Sequence, residues 1–297
     1  MRQWVSFEDL VMMCEEIMKE NIKKFHHPLL GPIRTVFSYE CESLCHLMQA
    51  QILMSMWSYL SCVMQLHEAH TKLNSWAAMI PSKEVKSAFG ARSTKTQIFP
   101  PLHSWLTKFK AILLSKFGLY FYDVLAKQTM PSLLKANLSK TSEDFVGKIH
   151  TFQKKSDAQC IYLVLESQGL NSQVKEGGYH HPKKYMEKPQ GMETYPPIFA
   201  YPVDRIVNPA HWPNIVMMMN SSAHQGDKLK VFYDKASDKR PQTSYFIIRV
   251  DPHIWLVSIF DSKKSEKDST INSFMTDMAL QLRCHTVLAS LKSFSKS

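Results

Sequence analysis

The stretch Ser244-Tyr245-Phe246-Ile247-Ile248-Arg249-Val250-Asp251-Pro252-His253-Ile254-Trp255-Leu256-Val257-Ser258-Ile259-Phe260 is apolar at odd and even positions alike on both sides of Asp251-Pro252. A strand with one solvated face alternates apolar and polar residues, so two runs without alternation predict strands covered on both faces. Asp-Pro is turn chemistry, and the two runs therefore read as central antiparallel strands joined across it.

Further β-like runs lie upstream at Cys160–Leu165, Ile215–Met219 and Leu229–Tyr233. Helical patterns flank them. Thr141-Ser142-Glu143-Asp144 is an approximate capping box ahead of Phe145, Ile149 and Phe152. A last helix is expected to open at Ser265, with Asp268 three residues on and a stripe of Ile271, Phe274/Met275, Met278 and Leu282. This order predicts an α+β domain over residues 139–297, with helices packed on an antiparallel sheet. Within it, residues 167–195 form a long loop rich in Gly, His, Lys and Pro, and loops of that length are mobile or functional.

Residues 1–138 read instead as an all-helical bundle. Phe7, Leu10/Val11, Cys14 and Ile17/Met18 recur at helical spacing after Ser6, with Glu8 and Asp9 near the positive end of the dipole. His26-His27-Pro28 and Gly31-Pro32 are expected to stop that helix. No proline or glycine occurs between Ile33 and Ile80, a span too long for one ordinary helix, so a break is expected near Ser55–Ser61. Residues Ser82–Phe99 read as a connection. A fourth helix starts at Pro100-Pro101 and carries Leu102, Trp105/Leu106, Phe109, Ile112/Leu113, Phe117, Tyr120/Phe121 and Val124.

Composition narrows the function. The 297 residues are 44% hydrophobic and 21% charged, a globular balance. Nine glycines leave little material for phosphate-cradling loops, and no dinucleotide, P-loop or nucleophile-elbow motif is present. No apolar run reaches membrane-spanning length, and the first residues lack a signal-like stretch. Six dispersed cysteines read as reduced core thiols of a cytosolic protein. The net charge of +10 comes from scattered lysines rather than one stripe, which reads as solvated surface; attraction to an acidic partner or lipid face stays as the alternative.

Two constellations invite a metal reading and fail on spacing. His67-Glu68-Ala69-His70 places its histidines three apart, whereas a zincin needs four. Cys41, Cys45 and His46 offer three groups without a tight knuckle or a fourth ligand. No metal, cofactor or catalytic residue is therefore assigned. The candidate partner contacts are Met56 and Trp57, apolar residues off the main helical stripe, together with Tyr179, His180 and His181 in the long loop and Trp212. Seventeen methionines suit adaptable interfaces as well as cores.

Six stretches carry a family resemblance: Phe25-His26-His27-Pro28-Leu29, Leu66-His67-Glu68-Ala69-His70-Thr71-Lys72-Leu73, Gly178-Tyr179-His180-His181-Pro182, His211-Trp212-Pro213-Asn214, Phe260 through Ser269, and Ala289-Ser290-Leu291-Lys292. In this order they resemble the small-subunit (subunit 2) family of the KICSTOR nutrient-signalling scaffold. The resemblance implies a non-catalytic scaffold subunit whose partners are the other KICSTOR subunits and, through them, the GATOR GTPase-activating complex and Rag GTPases. It implies a cytoplasmic protein, peripheral on the lysosomal membrane, that helps restrain TOR kinase signalling when amino acids are scarce. It also implies a second domain of roadblock or longin type. The resemblance also implies family members that extend further at the N-terminus, so a shorter form or a fragment is the expectation for this chain. A basic nucleic-acid-binding protein is the competing class, and a metal-dependent hydrolase the third.

Loop tips open locally far more cheaply than packed helices. Limited trypsin digestion should therefore cut first near Lys175, Lys183/Lys184 or Lys83–Lys95. First cuts within Lys108–Lys127 would remove the fourth helix from this reading.

Overall fold

A computed structural model describes residues 6–85, 94–139, 143–170, 174–175, 178–179, 190–202, 210–222, 228–234 and 242–294. The chain divides into two compact units, residues 1–54 with 58–113 and residues 55–57 with 114–297.

The first unit is built from α1 (Phe7–Ile22), α2 (Gly31–Ser55), α3 (Tyr59–Met79), the strands β1 (Ser82–Val85) and β2 (Thr94–Gln97), and the first part of α4 (Pro101–Tyr120). Ser6 caps α1 by accepting the Asp9 N–H, as its position ahead of two acidic residues predicts. Gly31-Pro32 does not stop a helix. α1 has already ended at Ile22, a 3-10 turn spans Pro28–Leu30, and Gly31-Pro32 opens α2, where proline is tolerated in the first turn. The expected break between α2 and α3 occurs at residues 56–58. Trp57 adopts φ +58°, and the Ser58 N–H reaches back to the Leu53 carbonyl at 2.8 Å. That is the Schellman way of ending a helix, with tryptophan at the position glycine normally takes. Small buried residues let the helices approach closely: the Cys62 thiol donates to the Ala50 carbonyl at 3.5 Å. The connection Ser82–Phe99 contains an unexpected antiparallel ladder that pairs Ser82 with Gln97 and Val85 with Thr94. Its strands lack an apolar alternation, so backbone pairing was invisible in the sequence.

The second unit holds the rest of α4, then α5 (Tyr122–Gln128), α6 (Pro131–Ser139), α7 (Phe145–Ser156), β3 (Cys160–Leu165), β4 (Val174–Lys175), β5 (Gly178–Tyr179), β6 (Pro197–Tyr201), α8 (Trp212–Ser222), β7 (Lys230–Asp234), β8 (Thr243–Asp251), β9 (Ile254–Phe260), α9 (Ser269–Leu282) and α10 (His285–Phe294). Five strands form an antiparallel sheet in the order β6-β3-β9-β8-β7. The decisive pair β8 and β9 is central and buried along nearly its whole length, as its unbroken apolar runs predict. One face presents Tyr162, Val164, Tyr245, Ile247, Trp255 and Val257 to Ile215, Met218 and Met219 of α8. On the other, Ser258 donates to the Met275 sulfur of α9, Tyr122 of α5 meets Phe199 edge-on, and His150 of α7 meets Tyr201. The second unit is thus an α+β layer with helices on both sides of one antiparallel sheet. Tyr122 of α5 and Lys116 of α4 pack within it, and α5 and α6 lie in this unit.

Three expectations need correction. Ile215–Met219 is not a strand but the middle of α8; Ile215, Met218, Met219 and Ser222 are buried at helical spacing. A short apolar run does not itself distinguish the two, and Pro213 in the first turn was the overlooked helix signal. α9 begins at Ser269 rather than Ser265, because Asp268 is the residue whose carboxylate caps it, accepting the Thr270 and Ile271 N–H groups. α7 is likewise capped by Asp144, which accepts from Gly147, whereas Thr141 and Ser142 lie outside the described residues. The strand β6 and the helices α6 and α10 went unread. Pro197 masks the first, and the others are short.

One buried polar network holds the second unit together. The Lys116 ammonium, fully buried on α4, lies 2.6 Å from the Asp251 carboxylate at the end of β8 and donates to the Leu282 carbonyl at 2.6 Å. One helical turn on, Tyr120 donates its hydroxyl to the same Asp251 oxygen at 2.5 Å. Burial, then the Asp251 charge, hold the Tyr120 phenol well above its ordinary range. Because the folded-state value is raised, this contribution to stability is complete below about pH 10 and is lost only as the pH climbs towards that raised value. Removing one member of a buried pair strands the other charge. Lys116→Met should cost about 3–5 kcal/mol in urea unfolding, and adding Asp251→Leu should restore most of it. Additive losses in the double variant would show that the pair is not coupled.

Candidate functional site

The sequence-derived contacts do not form one site. Met56 stands 54% exposed in the α2–α3 turn, whereas its neighbour Trp57 is only 6% exposed. The Trp57 ring packs against Phe121, centroid to centroid 4.5 Å, so it is a core anchor and not the surface residue expected. Tyr59 is buried as well. Tyr179 lies in β5, opposite Val174 of β4. His180 and His181 lie outside the described residues. Trp212 opens α8 half-buried, its ring edge-on to Tyr162 at 6.0 Å. Beside it the His211 ring nitrogen meets the Tyr245 hydroxyl at 2.8 Å. The His-Trp-Pro-Asn motif therefore fixes the start of α8 onto the sheet.

The long loop 167–195 is tied at its base. Ser167 donates both its N–H and its hydroxyl to the Thr194 carbonyl, at 2.8 and 2.9 Å. Between α7 and α9 lies a groove of about 730 Å³ lined by Asp144, Lys148, Phe152, Phe274, Asp277 and Met278. The two phenylalanine rings stack at 3.7 Å, and Lys148 is engaged by Glu143 and Gln281. Ser273, which also lines the groove, donates its hydroxyl to the Asp277 carboxylate at 3.0 Å, an exposed i, i+4 pair within α9.

The thiols behave as core groups. Cys14, Cys41 and Cys45 are buried between α1 and α2, with the Cys14 thiol 3.6 Å from the Cys41 carbonyl. Cys14 is lowered by its hydrogen bond with Cys41 but raised by that with Cys45 and by burial, ending at about 11. Cys41 is pushed up by its bond with Cys14 and by burial, while Cys45 is drawn down by its bond with Cys14. Among the described residues no group of three or more His, Cys, Asp or Glu side chains could hold a metal ion.

Sequence reasoning missed the surface of α3. This helix buries Tyr59, Cys62, Leu66, Ala69, Leu73 and Trp76, yet its opposite side carries Leu60 (53% exposed), Val63 (37%) and Met64 (57%). Their i, i+3, i+4 spacing was the available signal. The same side continues into His67 and His70, both exposed. His70 does not ligate: its Nδ1 meets the Lys110 ammonium of α4 at 3.0 Å and its Nε2 lies 3.1 Å from the Asn74 amide. Burial first, then Lys110, lowers its pKa, so the ring is neutral at pH 7 and accepts from Lys110.

The described residues thus hold a helical unit with exposed apolar side chains on α3 and an α+β unit built on one antiparallel sheet. The family model described as KICSTOR complex C12orf66 like matches residues 1–296, and the chain belongs to that family. It is 39% identical to KICSTOR subunit 2 of Xenopus laevis, over 99% of this chain and 66% of that protein. It is 36% identical to KICSTOR subunit 2 of Danio rerio, over 98% of this chain and 65% of that one. The chain thus spans slightly less than two thirds of the length of these relatives. Among the described residues no helix is long and apolar enough to cross a membrane.

The neighbours Met56 and Trp57 separate surface from core. Met56→Asp should shift unfolding by no more than about 0.5 kcal/mol. Trp57→Ala should cost about 3–5 kcal/mol. Equal effects in chemical denaturation would contradict the assignment of Trp57 to the core.

Proposed function

We propose that the chain is a non-catalytic scaffold subunit of a KICSTOR complex, held in place by the other KICSTOR subunits. The observation that carries this reading is the match to one family over residues 1–296. As part of that assembly it recruits the GATOR GTPase-activating complex beside the Rag GTPases and helps restrain TOR kinase signalling when amino acids are scarce. Its place is the cytoplasmic face of the lysosomal membrane, reached through partners. Met56, Tyr179, His180, His181 and Trp212 remain the proposed partner contacts of the turn, the long loop and the start of α8, with Trp57 acting beneath Met56 as support.

The second unit is read as a roadblock- or longin-type module. Support comes from its element order: numbered within the five-stranded sheet, the strands lie 2-1-5-4-3, with α8 between the second and third and two helices after the fifth. A module of that kind offers strand edges and helix faces to partners.

The test is affinity purification of the tagged chain from cells, followed by native mass spectrometry. The other KICSTOR subunits should be recovered in fixed stoichiometry at physiological salt. Recovery of the chain alone overturns the reading. Retention of nucleic acid with steep salt dependence would favour the basic nucleic-acid class instead.

A further inference from the structure

We propose that the open side of α3, formed by Leu60, Val63 and Met64 and ending at Lys110, docks an apolar helix of another KICSTOR subunit that carries a carboxylate to meet Lys110. This deepens the reading above and rests on it.

Two independent observations converge on that occupant. The first is apolar segregation. Leu60, Val63 and Met64 sit together on the side of α3 opposite its core, while the rest of that side is polar: His67, His70, Thr71 and Asn74. A solvated helix face normally carries charged side chains, and neighbouring exposed apolar residues mark contact sites. A stripe at i, i+3, i+4 is complementary to a similar stripe on a crossing helix.

The second observation is an unbalanced charge at the end of the stripe. Lys110 is half-buried, and its ammonium donates to the neutral ring of His70 at 3.0 Å. The ion pairs Lys72–Glu42, Lys116–Asp251 and Lys148–Glu143 do not engage Lys110. Burial alone lowers the Lys110 pKa, with no carboxylate offsetting it. A partly desolvated cation resting on an uncharged acceptor lacks its counter-ion. An ammonium has three donors, so His70 leaves others for an incoming carboxylate. The chemistry called for is therefore apolar residues followed by Asp or Glu. A basic segment or a bare hydrocarbon surface would leave Lys110 uncompensated, and a nucleic acid would meet the ammonium with phosphate but offer no apolar face to Leu60, Val63 and Met64. A second copy of this chain is disfavoured, because an isologous contact would bring a second Lys110 to the same face.

The experiment uses the full chain co-expressed with the other KICSTOR subunits. Leu60→Asp and Met64→Asp should each lower subunit recovery about ten-fold or more, with cooperative melting unchanged because both side chains are already exposed. Lys110→Glu should weaken recovery and Lys110→Arg retain it. Carbodiimide cross-linking, which joins an amine to a carboxylate only in direct contact, should tie Lys110 to an Asp or Glu within an apolar peptide of another KICSTOR subunit. Wild-type recovery by both aspartate variants overturns the docking site while leaving the functional reading intact. Failure of the wild-type chain to recover any KICSTOR subunit overturns the functional reading itself. Cross-links from Lys110 only to this same chain would make the face a self-association surface and overturn the proposed occupant.

Discussion

A lysine with no exposed surface is the constraint around which the second unit is organised. Lys116 cannot be solvated, so its charge must be met from within, and Asp251 and the Leu282 carbonyl meet it from two different elements. The carbonyl end of α9 is the negative end of a helix dipole, which suits a cation. Asp251 in turn is held by Tyr120, one turn along α4 from Lys116. The hairpin corner, the end of α9 and the end of α4 are thereby placed by a single set of hydrogen bonds. Apolar packing would tolerate small slides among these elements; a short ionic contact does not, because displacing it leaves a buried charge unmet.

What the sequence made legible follows from how local each signal is. The strands β8 and β9 were readable because burial on both faces writes itself as unbroken apolarity. The start of α1 was readable because Ser6 and the acidic first turn act within one turn of helix. The break at residues 56–58 was readable from length alone. Tertiary information was not. Nothing adjacent to Lys116 distinguishes it from the many solvated lysines of this basic chain, since its partners come from residues more than a hundred positions away. Trp57 looked like a surplus surface aromatic for the same reason, since Phe121 is remote in sequence. Ile215–Met219 was misread because five apolar residues fit a strand or a helix, and only the contact with the sheet face decides.

The candidate surfaces show the same division. His67-Glu68-Ala69-His70 drew attention as a metal motif, but the structure uses His70 as a neutral acceptor for Lys110. Its Nδ1 lies 3.0 Å from that ammonium, on the side of α3 that carries the exposed Leu60, Val63 and Met64. The His211-Trp212-Pro213-Asn214 motif, by contrast, is structural, clasping α8 to Tyr162 and Tyr245. This family motif thus serves folding, through the contacts that His211 and Trp212 make with the sheet.

Among the described residues other than glycine, Trp57, Asp157 and Cys284 adopt left-handed backbone. Left-handed backbone costs a non-glycine residue about 1–2 kcal/mol, and at Trp57 and Cys284 the side chain is buried, so each corner is stabilised by the packing it delivers. Between Ile33 and Ile80 no glycine or proline encodes a corner locally. A peptide of residues 31–79 in isolation would therefore favour one continuous rod over a hairpin. Where α2 ends is a property of the assembled chain: helix length here is conditional, set by the pocket that receives an indole and not by the residues of the helix.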